Sequence, residues 1–325
     1  MITELASAVG KAAAITVSKA GGLPMEAARA LRGRSLESAV RGRVVMITGA
    51  SSGIGKATAI KVAAAGGTPL LVARGADKLE ETRAEIIAAG GDAFSYSADL
   101  SNMDSIDELT AKVLVDHGNV DVLVNNAGRS IRRSIEPSYD RFHDFERTIE
   151  LNYLGAVKLI LAVLPSMRER RQGHIVNISS IGVQTNPPRF SAYVASKAAL
   201  DAFTRVVASE CIGDNVHFTT IHMPLVKTPM IAPTKMYDSF PTISPDDAAD
   251  MITGALRDRP KQINTSLGTV GEVAYALAPK AVDQVLHRAY RVFPDSAAAK
   301  GDKSKDAGAT REQIAMANLM RGVHW

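Results

Sequence analysis

Cysteine is nearly missing from this chain: Cys211 is the only one among 325 residues. A lone thiol cannot build a disulfide framework, and its scarcity fits a reducing compartment. With Val206, Val207 and Ile212 around it, Cys211 reads as part of an apolar core. No stretch approaches the ~18–20 apolar residues of a membrane span, and no positively charged start precedes the apolar N-terminal run. The expected location is therefore cytoplasmic. Internal repeats are lacking, no metal site is expected, and nothing resembles a nucleic-acid-binding module. The net charge of +4 is too small an excess to suggest a polyanionic partner. Lys and Arg outnumber Asp and Glu by seven to three over residues 1–43 and by eight to five over 279–325, whereas the body between them has 23 against 26.

What is present is a regular alternation of short apolar runs with amphipathic stretches from Arg43 to about Asn264. That pattern predicts an α/β fold with a doubly wound parallel sheet and right-handed crossovers. At this length it forms one large domain with additions.

The run Arg43-Val44-Val45-Met46-Ile47-Thr48 leads directly into Gly49-Ala50-Ser51-Ser52-Gly53-Ile54-Gly55, and a helical pattern follows from Lys56 to Ala65. A strand, a glycine turn and a helix in that order form a pyrophosphate cradle. Glycine lets backbone approach the phosphates, and the helix N-terminus offers unpaired N–H groups and a positive dipole end. A second strand, Thr68–Val72, ends at Ala73-Arg74, where a dinucleotide fold reads the adenosine ribose. An arginine there accommodates a 2′-phosphate, so NADPH is favoured over NADH. Lys56 is a further candidate for that phosphate, or a solvated helix residue.

Three later features belong with the cradle. The strand Asp121–Val124 ends in Asn125-Asn126-Ala127-Gly128, a turn of short amides and small residues that leaves room beside a nicotinamide ribose. The apolar strand from His174 ends at Ser180, which puts a hydroxyl at a strand's carboxyl end, where ligands bind in open α/β sheets. Ser179 points to the other face. Tyr193 and Lys197 lie four residues apart on one helix face, so the ammonium is expected to favour the phenolate and make Tyr193 unusually acidic. Asn152 sits in an apolar helical pattern and needs a hydrogen-bond partner; it could hold a water against Lys197 as a proton relay.

In their order and spacing these motifs resemble the short-chain dehydrogenase/reductase family: Thr48-Gly49-x-x-x-Gly53-x-Gly55, Asn125-Asn126-Ala127-Gly128, Asn152, Ser180 and Tyr193-x-x-x-Lys197. The resemblance implies a Rossmann-type catalytic domain, expected over 41–268; the flanking residues read as an N-terminal helical extension over 1–40 and a C-terminal helical extension over 269–325, in which an Ala-, Lys-, Asp-, Gly- and Ser-rich stretch at about 295–310 is expected to be a flexible linker. It implies Asn152, Ser180, Tyr193 and Lys197 as the catalytic set. Cofactor contacts would come from Gly49, Ser51, Ser52, Gly53, Ile54, Gly55, Arg74, Asp99, Asn126, Ala127, Gly128 and Thr228, together with Tyr193 and Lys197. In such a site a hydride reaches a carbonyl carbon while Tyr193 gives its oxygen a proton, Ser180 polarises that oxygen, and Lys197 holds the ribose and depresses the Tyr193 pKa. Oligomers are common in the family, so a homo-oligomer is expected. One departure is Pro224-Leu225 where many members have Pro-Gly, which puts the turn after the sixth strand in doubt.

Two segments resemble bacterial fatty acyl-CoA reductases more closely: Asn126–Arg133 with Asp140–Arg147, and Met223–Lys235. Arg189–Tyr193 and the terminal His324-Trp325 share that likeness. It implies an acyl-CoA or other lipid carbonyl substrate reduced to the aldehyde; a ketone or hydroxy-lipid reductase is the alternative. Arg129, Arg132 and Arg133 are candidates for CoA phosphates, or a solvated or oligomer-facing patch. The Met- and Pro-rich segment from Met223 to Met236 suits a lid over an acyl chain. Near the start, Ile2, Leu5, Val9 and Ala13 share a helical face that could meet a membrane surface, the enzyme itself or a sister subunit. A short helix is expected over Arg311–Met320, with Trp325 as an anchor.

Overall fold

The structure, a computed structural model, describes residues 35–232, 240–293 and 295. The apolar face of Ile2, Leu5, Val9 and Ala13, the far part of the Met223–Met236 segment, the linker beyond Asp295, the Arg311–Met320 helix and Trp325 lie outside the described residues.

Seven parallel strands form one sheet in the order β3-β2-β1-β4-β5-β6-β7. They are β1 (Val44–Thr48), β2 (Thr68–Ala73), β3 (Phe94–Ser97), β4 (Val122–Asn125), β5 (Gly173–Ser180), β6 (Val216–Met223) and β7 (Gln262–Ile263). Helices connect them: α1 (Leu36–Val40) precedes β1, then α2 (Gly53–Ala64), α3 (Ala76–Ala88) and α4 (Met103–His117) follow in turn. After β4, α5 (His143–Ile149) passes through a π turn at Glu150–Leu154 into α6 (Gly155–Glu169). Short α7 (Ile181–Thr185) and long α8 (Ser191–Glu210) link β5 to β6, α9 (Pro245–Asp258) links β6 to β7, and α10 (Ser266–Leu277) and α11 (Pro279–Val292) close the described chain. This is the expected doubly wound α/β architecture.

The central strands β1, β2 and β4 are buried on both faces, which is why they read as nearly continuous apolar runs, whereas the edge strands β3 and β7 are partly exposed. Successive side chains still divide between two cores. Val45, Ile47 and Leu71 pack on one side with Val62, Ile252 and Leu256 from α2 and α9. Met46, Leu70, Val72 and Leu123 pack on the other with Ile160, Met167 and Cys211. Cys211 is thus core, as its neighbours suggest. The α5–α6 helix, His143–Glu169, is long and apolar enough to cross a membrane by length and composition, although the sequence shows no unbroken apolar run of that length. Leu159, Ile160, Val163 and Met167 are spent on the sheet, so its apolarity serves packing.

Local chemistry sets the helix starts nearest the cleft. Asn102 caps α4 by accepting from Asp104 and Ser105, Ser244 and Asp247 form a capping box on α9, and Thr265 caps α10 by accepting from Gly268. Ser52, at the start of α2, makes no side-chain cap, which leaves the first-turn N–H groups of α2 to the cleft.

Candidate active site

The carboxyl ends of β1, β2, β4, β5 and β6 open on one cleft of about 1340 Å³. One half is lined by Gly49, Ser51, Ser52, Gly53, Ile54, Arg74, Asn126, Ala127, Gly128 and Thr228, all expected from the sequence. Ser180, Tyr193 and Lys197 also face the cleft. Gly55 does not line it, being one turn inside: a Cβ on Gly55 would stand 2.3 Å from the Gly49 carbonyl oxygen and 2.8 Å from Asn126 Nδ2. Gly49 and Gly53 adopt φ of +68° and +53°, the left-handed region that favours glycine.

The cradle is braced from behind by Thr48, whose role sequence reading missed. Its Oγ1 accepts from the backbone N–H groups of Asn126 and Ala127, each at 2.9 Å, and Asn126 Nδ2 donates to the Thr48 carbonyl at 2.9 Å. These bonds tie the two nucleotide loops together. Asp99 is not among the residues that line the cleft; its Oδ1 accepts from the Ser101 N–H and hydroxyl, bonds that hold the carboxyl below its ordinary range. Its neighbours Ala98 and Leu100 line the wall in its place. Arg74 is exposed at the rim with Lys78, a second cation one helical turn on that sequence reading did not single out. Lys56 pairs instead with Glu85 at 2.6 Å and is not on the cleft.

Ser180 ends β5 and caps α7, accepting from the Gly182 N–H at 3.0 Å. Its hydroxyl faces the same cleft as the Tyr193 phenol and favours the phenolate. Ser179 points the other way, as expected, donating to Asp201 at 3.0 Å. Lys197 is buried and donates to the Ile178 carbonyl at 2.7 Å. Burial, only partly offset by Asp201, pulls the Lys197 ammonium down to about 8.

The expectation of an unusually acidic Tyr193 is not met. Burial pushes its phenol up, the Ser180 hydroxyl only partly counters this, and the Asp201 carboxylate adds to the rise. The ammonium meant to stabilise the phenolate is engaged by a carbonyl. A phenol raised in this way keeps its proton, which suits a donor. Asp201 could have been found from its spacing, one turn beyond Lys197 on α8. It pairs with His222 at 2.9 Å, and Asn264 bonds the other ring nitrogen at 2.7 Å. Burial disfavours the imidazolium, yet these bonds outweigh it and raise the His222 pKa.

Asn152 lies on the π turn and is fully buried. Its amide bonds the Arg129 N–H at 2.8 Å, the Arg129 carbonyl at 2.9 Å and the Ser196 hydroxyl at 2.9 Å. A Cβ on Gly128 would lie 3.3 Å from Asn152 Oδ1 and 3.4 Å from Lys197 Nζ, so amide and ammonium approach the same point. A void of about 10 Å³ lies beside both, near the minimum that holds one water.

All three arginines line the cleft, each held by different partners. Arg133 is paired with nearly buried Asp144 at 3.0 Å, Arg132 donates to the Phe293 carbonyl at 3.4 Å, and Arg129 is half-buried with its pKa lowered by burial and by Arg147 and Arg74. Leu225 solves the turn after β6 without a left-handed φ: Ile243 N–H donates to its carbonyl at 3.0 Å, and Lys227 N–H donates to the Ile243 carbonyl at 2.9 Å.

A nicotinamide dinucleotide fits these residues, because the cradle backbone is kept bare by Gly49, Gly53 and Gly55 and the capless helix start faces the same space. Residues 43–237 match the model of the short chain dehydrogenase family. The chain is 53% identical over 301 residues to an uncharacterized oxidoreductase of Mycobacterium tuberculosis, covering 91% of this chain and 88% of that one. It is 51% identical over 253 residues to a fatty acyl-CoA reductase of Acinetobacter baylyi, covering 78% and 85%. A metagenomic short-chain oxidoreductase solved in complex with NADP superposes with a TM-score of 0.59 at 32% identity, covering 70% of this chain and 97% of its own. The chain belongs to the short-chain dehydrogenase family. It is an oxidoreductase of that family that works with a nicotinamide dinucleotide.

Proposed function

We propose that this protein reduces long-chain acyl-CoA to the fatty aldehyde with NADPH. The observation that carries the reading is one cleft lined by the phosphate cradle, by Ser180 and Tyr193, and by the apolar side chains of α10 and α11. The 51% identity to a fatty acyl-CoA reductase supports the substrate class. Arg74 and Lys78 at the rim favour a 2′-phosphate and hence NADPH. In this reading residues 41–268 make the catalytic domain, and α10 and α11, the described helices of the 269–325 extension, face its substrate side.

When bound, NADPH supplies the hydride for the thioester carbonyl carbon. Ser180 positions the carbonyl oxygen, and the proton on Tyr193 Oη passes to it as negative charge develops there, giving a hemithioacetal. The C–S bond then breaks as the C=O bond re-forms, and the hydroxyl proton passes to the departing sulfur, giving aldehyde and CoA thiol. Lys197 holds the ribose hydroxyls, and Asn152 fixes the water beside it through which Tyr193 recovers its proton. No thiol is required, which agrees with Cys211 being buried in the core.

The test is NADPH oxidation by purified protein with palmitoyl-CoA, trapping aldehyde and titrating free CoA thiol in one reaction. Equal amounts of both products are expected. Neither product, from protein that binds NADPH, would turn the reading toward a ketone or free-aldehyde reductase.

A further inference from the structure

The cleft is larger than the ~300–1,000 Å³ typical of a single small-molecule site. Its second half is walled by α10 and α11. On α11, Val282, Val285, Leu286, Ala289 and Tyr290 recur at helical spacing and line the cleft together with the C-cap residue Phe293, yet the helix buries no side chain. An amphipathic helix gains most of its stability by covering its apolar face, and here that face looks onto the space beside Ser180 and Tyr193.

Two sets of contacts hold the wall at a defined distance from those hydroxyls. Gly271 and Gly268 press α10 onto α7, the helix that Ser180 caps: a Cβ on Gly271 would stand 3.0 Å from Thr185 Cγ2. At the far end, Asp295 accepts from Arg189 Nε at 3.1 Å and from the Ser134 N–H at 3.0 Å. The Arg189 guanidinium also lies 4.0 Å over the Tyr290 ring. Arg189 itself holds a φ of +76°, and its carbonyl accepts from the Arg133 N–H at 2.7 Å, so this latch sits on a constrained loop next to the site.

We propose that the space between the Pro187–Phe190 loop and the α10–α11 hairpin is the compartment for the substrate's alkyl chain, with Ala274 and Ala289 setting how long a chain it accepts. The occupant must be apolar to suit the wall, slender to run along a helix face, and joined to a carbonyl that reaches Ser180 and Tyr193. The proposal deepens the acyl-CoA reading and rests on it for the head group. It does not depend on that reading for the alkyl tail.

The experiment compares wild type with Ala289→Trp and Ala274→Trp. For each, kcat/KM is measured with palmitoyl-CoA and octanoyl-CoA, alongside NADPH affinity and binding of a pyrene-labelled dodecanoic acid. The palmitoyl-to-octanoyl ratio should fall at least ten-fold in both variants, NADPH Kd should stay within about two-fold, and pyrene probe binding should be lost. A ratio unchanged in both variants, at wild-type NADPH affinity, would overturn the compartment while leaving the acyl-CoA reading intact. If wild type binds NADPH and reduces neither thioester, the acyl-CoA reading fails and the probe decides: binding by wild type that the Trp variants lose supports an alkyl compartment for another carbonyl lipid, and no binding by wild type overturns it. Should one variant misfold, the other carries the comparison.

Discussion

The two halves of the cleft are built by opposite means. In the nucleotide half, loop is locked directly to loop: Thr48 and Asn126 tie the two together, and Gly49 and Gly55 leave no room for a methyl group. In the substrate half, α11 buries no side chain, and its end is held by Asp295, Arg189 and Arg132. A ligand common to a whole family can be met by fixed backbone, whereas a chain of one particular length is met by side chains on a wall that can shift. Mutations should therefore be felt as loss of binding and fold in the first half and as changes of preference in the second.

The sharpest way to break this contrast is Gly55→Ala. The new Cβ would fall 2.3 Å from the Gly49 carbonyl oxygen, and since both atoms belong to backbone neither can rotate away. We expect NADPH affinity to drop at least a hundred-fold and stability by about 2–4 kcal/mol, read by fluorescence titration and denaturant melts. Val285→Ala on α11, where the side chain is 49% exposed, should change the melt by no more than ~0.5 kcal/mol. Equal sensitivity at the two positions would sink the contrast.

Next in size is Lys197→Met, at the junction of the halves. Turnover should fall by roughly 10²–10⁴. Stability should move the other way. The folded protein holds Lys197 at about 8 against an ordinary 10.5, so between those values it binds fewer protons than the unfolded chain. Wild-type stability therefore rises as pH climbs from about 8 toward 10.5. Below 8 the buried ammonium costs stability, at roughly 1.4 kcal/mol for each ten-fold loss of proton affinity on folding. After allowing for the lost bond to the Ile178 carbonyl, Lys197→Met should be about 1–2 kcal/mol more stable at pH 7, a gain that fades above pH 10. A variant that is both inactive and less stable at pH 7 would show that the charge is compensated where it lies.

The contrast also decides what could be read from sequence. Gly49, Gly53, Asn126, Ser180, Tyr193 and Lys197 announce themselves because cradle and proton donor need fixed residue types at fixed spacing, and all of them face the cleft. The sheet was equally legible, since strands buried on both faces leave runs such as Val44–Thr48. Tyr193's acidity was misjudged because i,i+4 spacing says that Lys197 is near but not that a carbonyl holds it. Asp201 and His222 went unnoticed, since their pairing joins α8 to β6 across 21 positions of sequence. Arg189 and Asp295 are 106 apart, and no local pattern links a loop arginine with an aspartate beyond α11. The substrate wall has no motif, only composition.

Arg74→Ala together with Lys78→Ala tests the polar rim of the nucleotide half. Two exposed cations facing a phosphate should be worth about 1.5–3 kcal/mol, so the preference for NADPH over NADH in kcat/KM should shrink by roughly 10- to 100-fold, with NADH rates little changed. Cofactor choice that survives the double substitution would move its origin into the loop backbone.

The smallest effect on the whole molecule should come from Asp295→Asn, which weakens the latch at the end of the substrate wall. Burial raises the Asp295 carboxyl, but its bonds to Ser134 and the charges of Arg189 and Arg132 outweigh this and hold it below its ordinary value, so the carboxylate is the form that latches. Arg189 and Asp295 are 6% and 11% exposed, which makes the pair stronger than a surface ion pair. Its loss should nonetheless stay local, because α11 contributes no buried side chain to either core. Melts should shift by less than about 1 kcal/mol, while amide exchange in Pro279–Val292 quickens by roughly 10- to 100-fold and that of β1 and α2 stays at the wild-type rate. Faster exchange confined to α11, with a broadened chain-length profile, would show that the wall is a separately stable unit. Faster exchange spreading into β1 would mean that the two halves of the cleft share one cooperative fold, and the division drawn between them would fall.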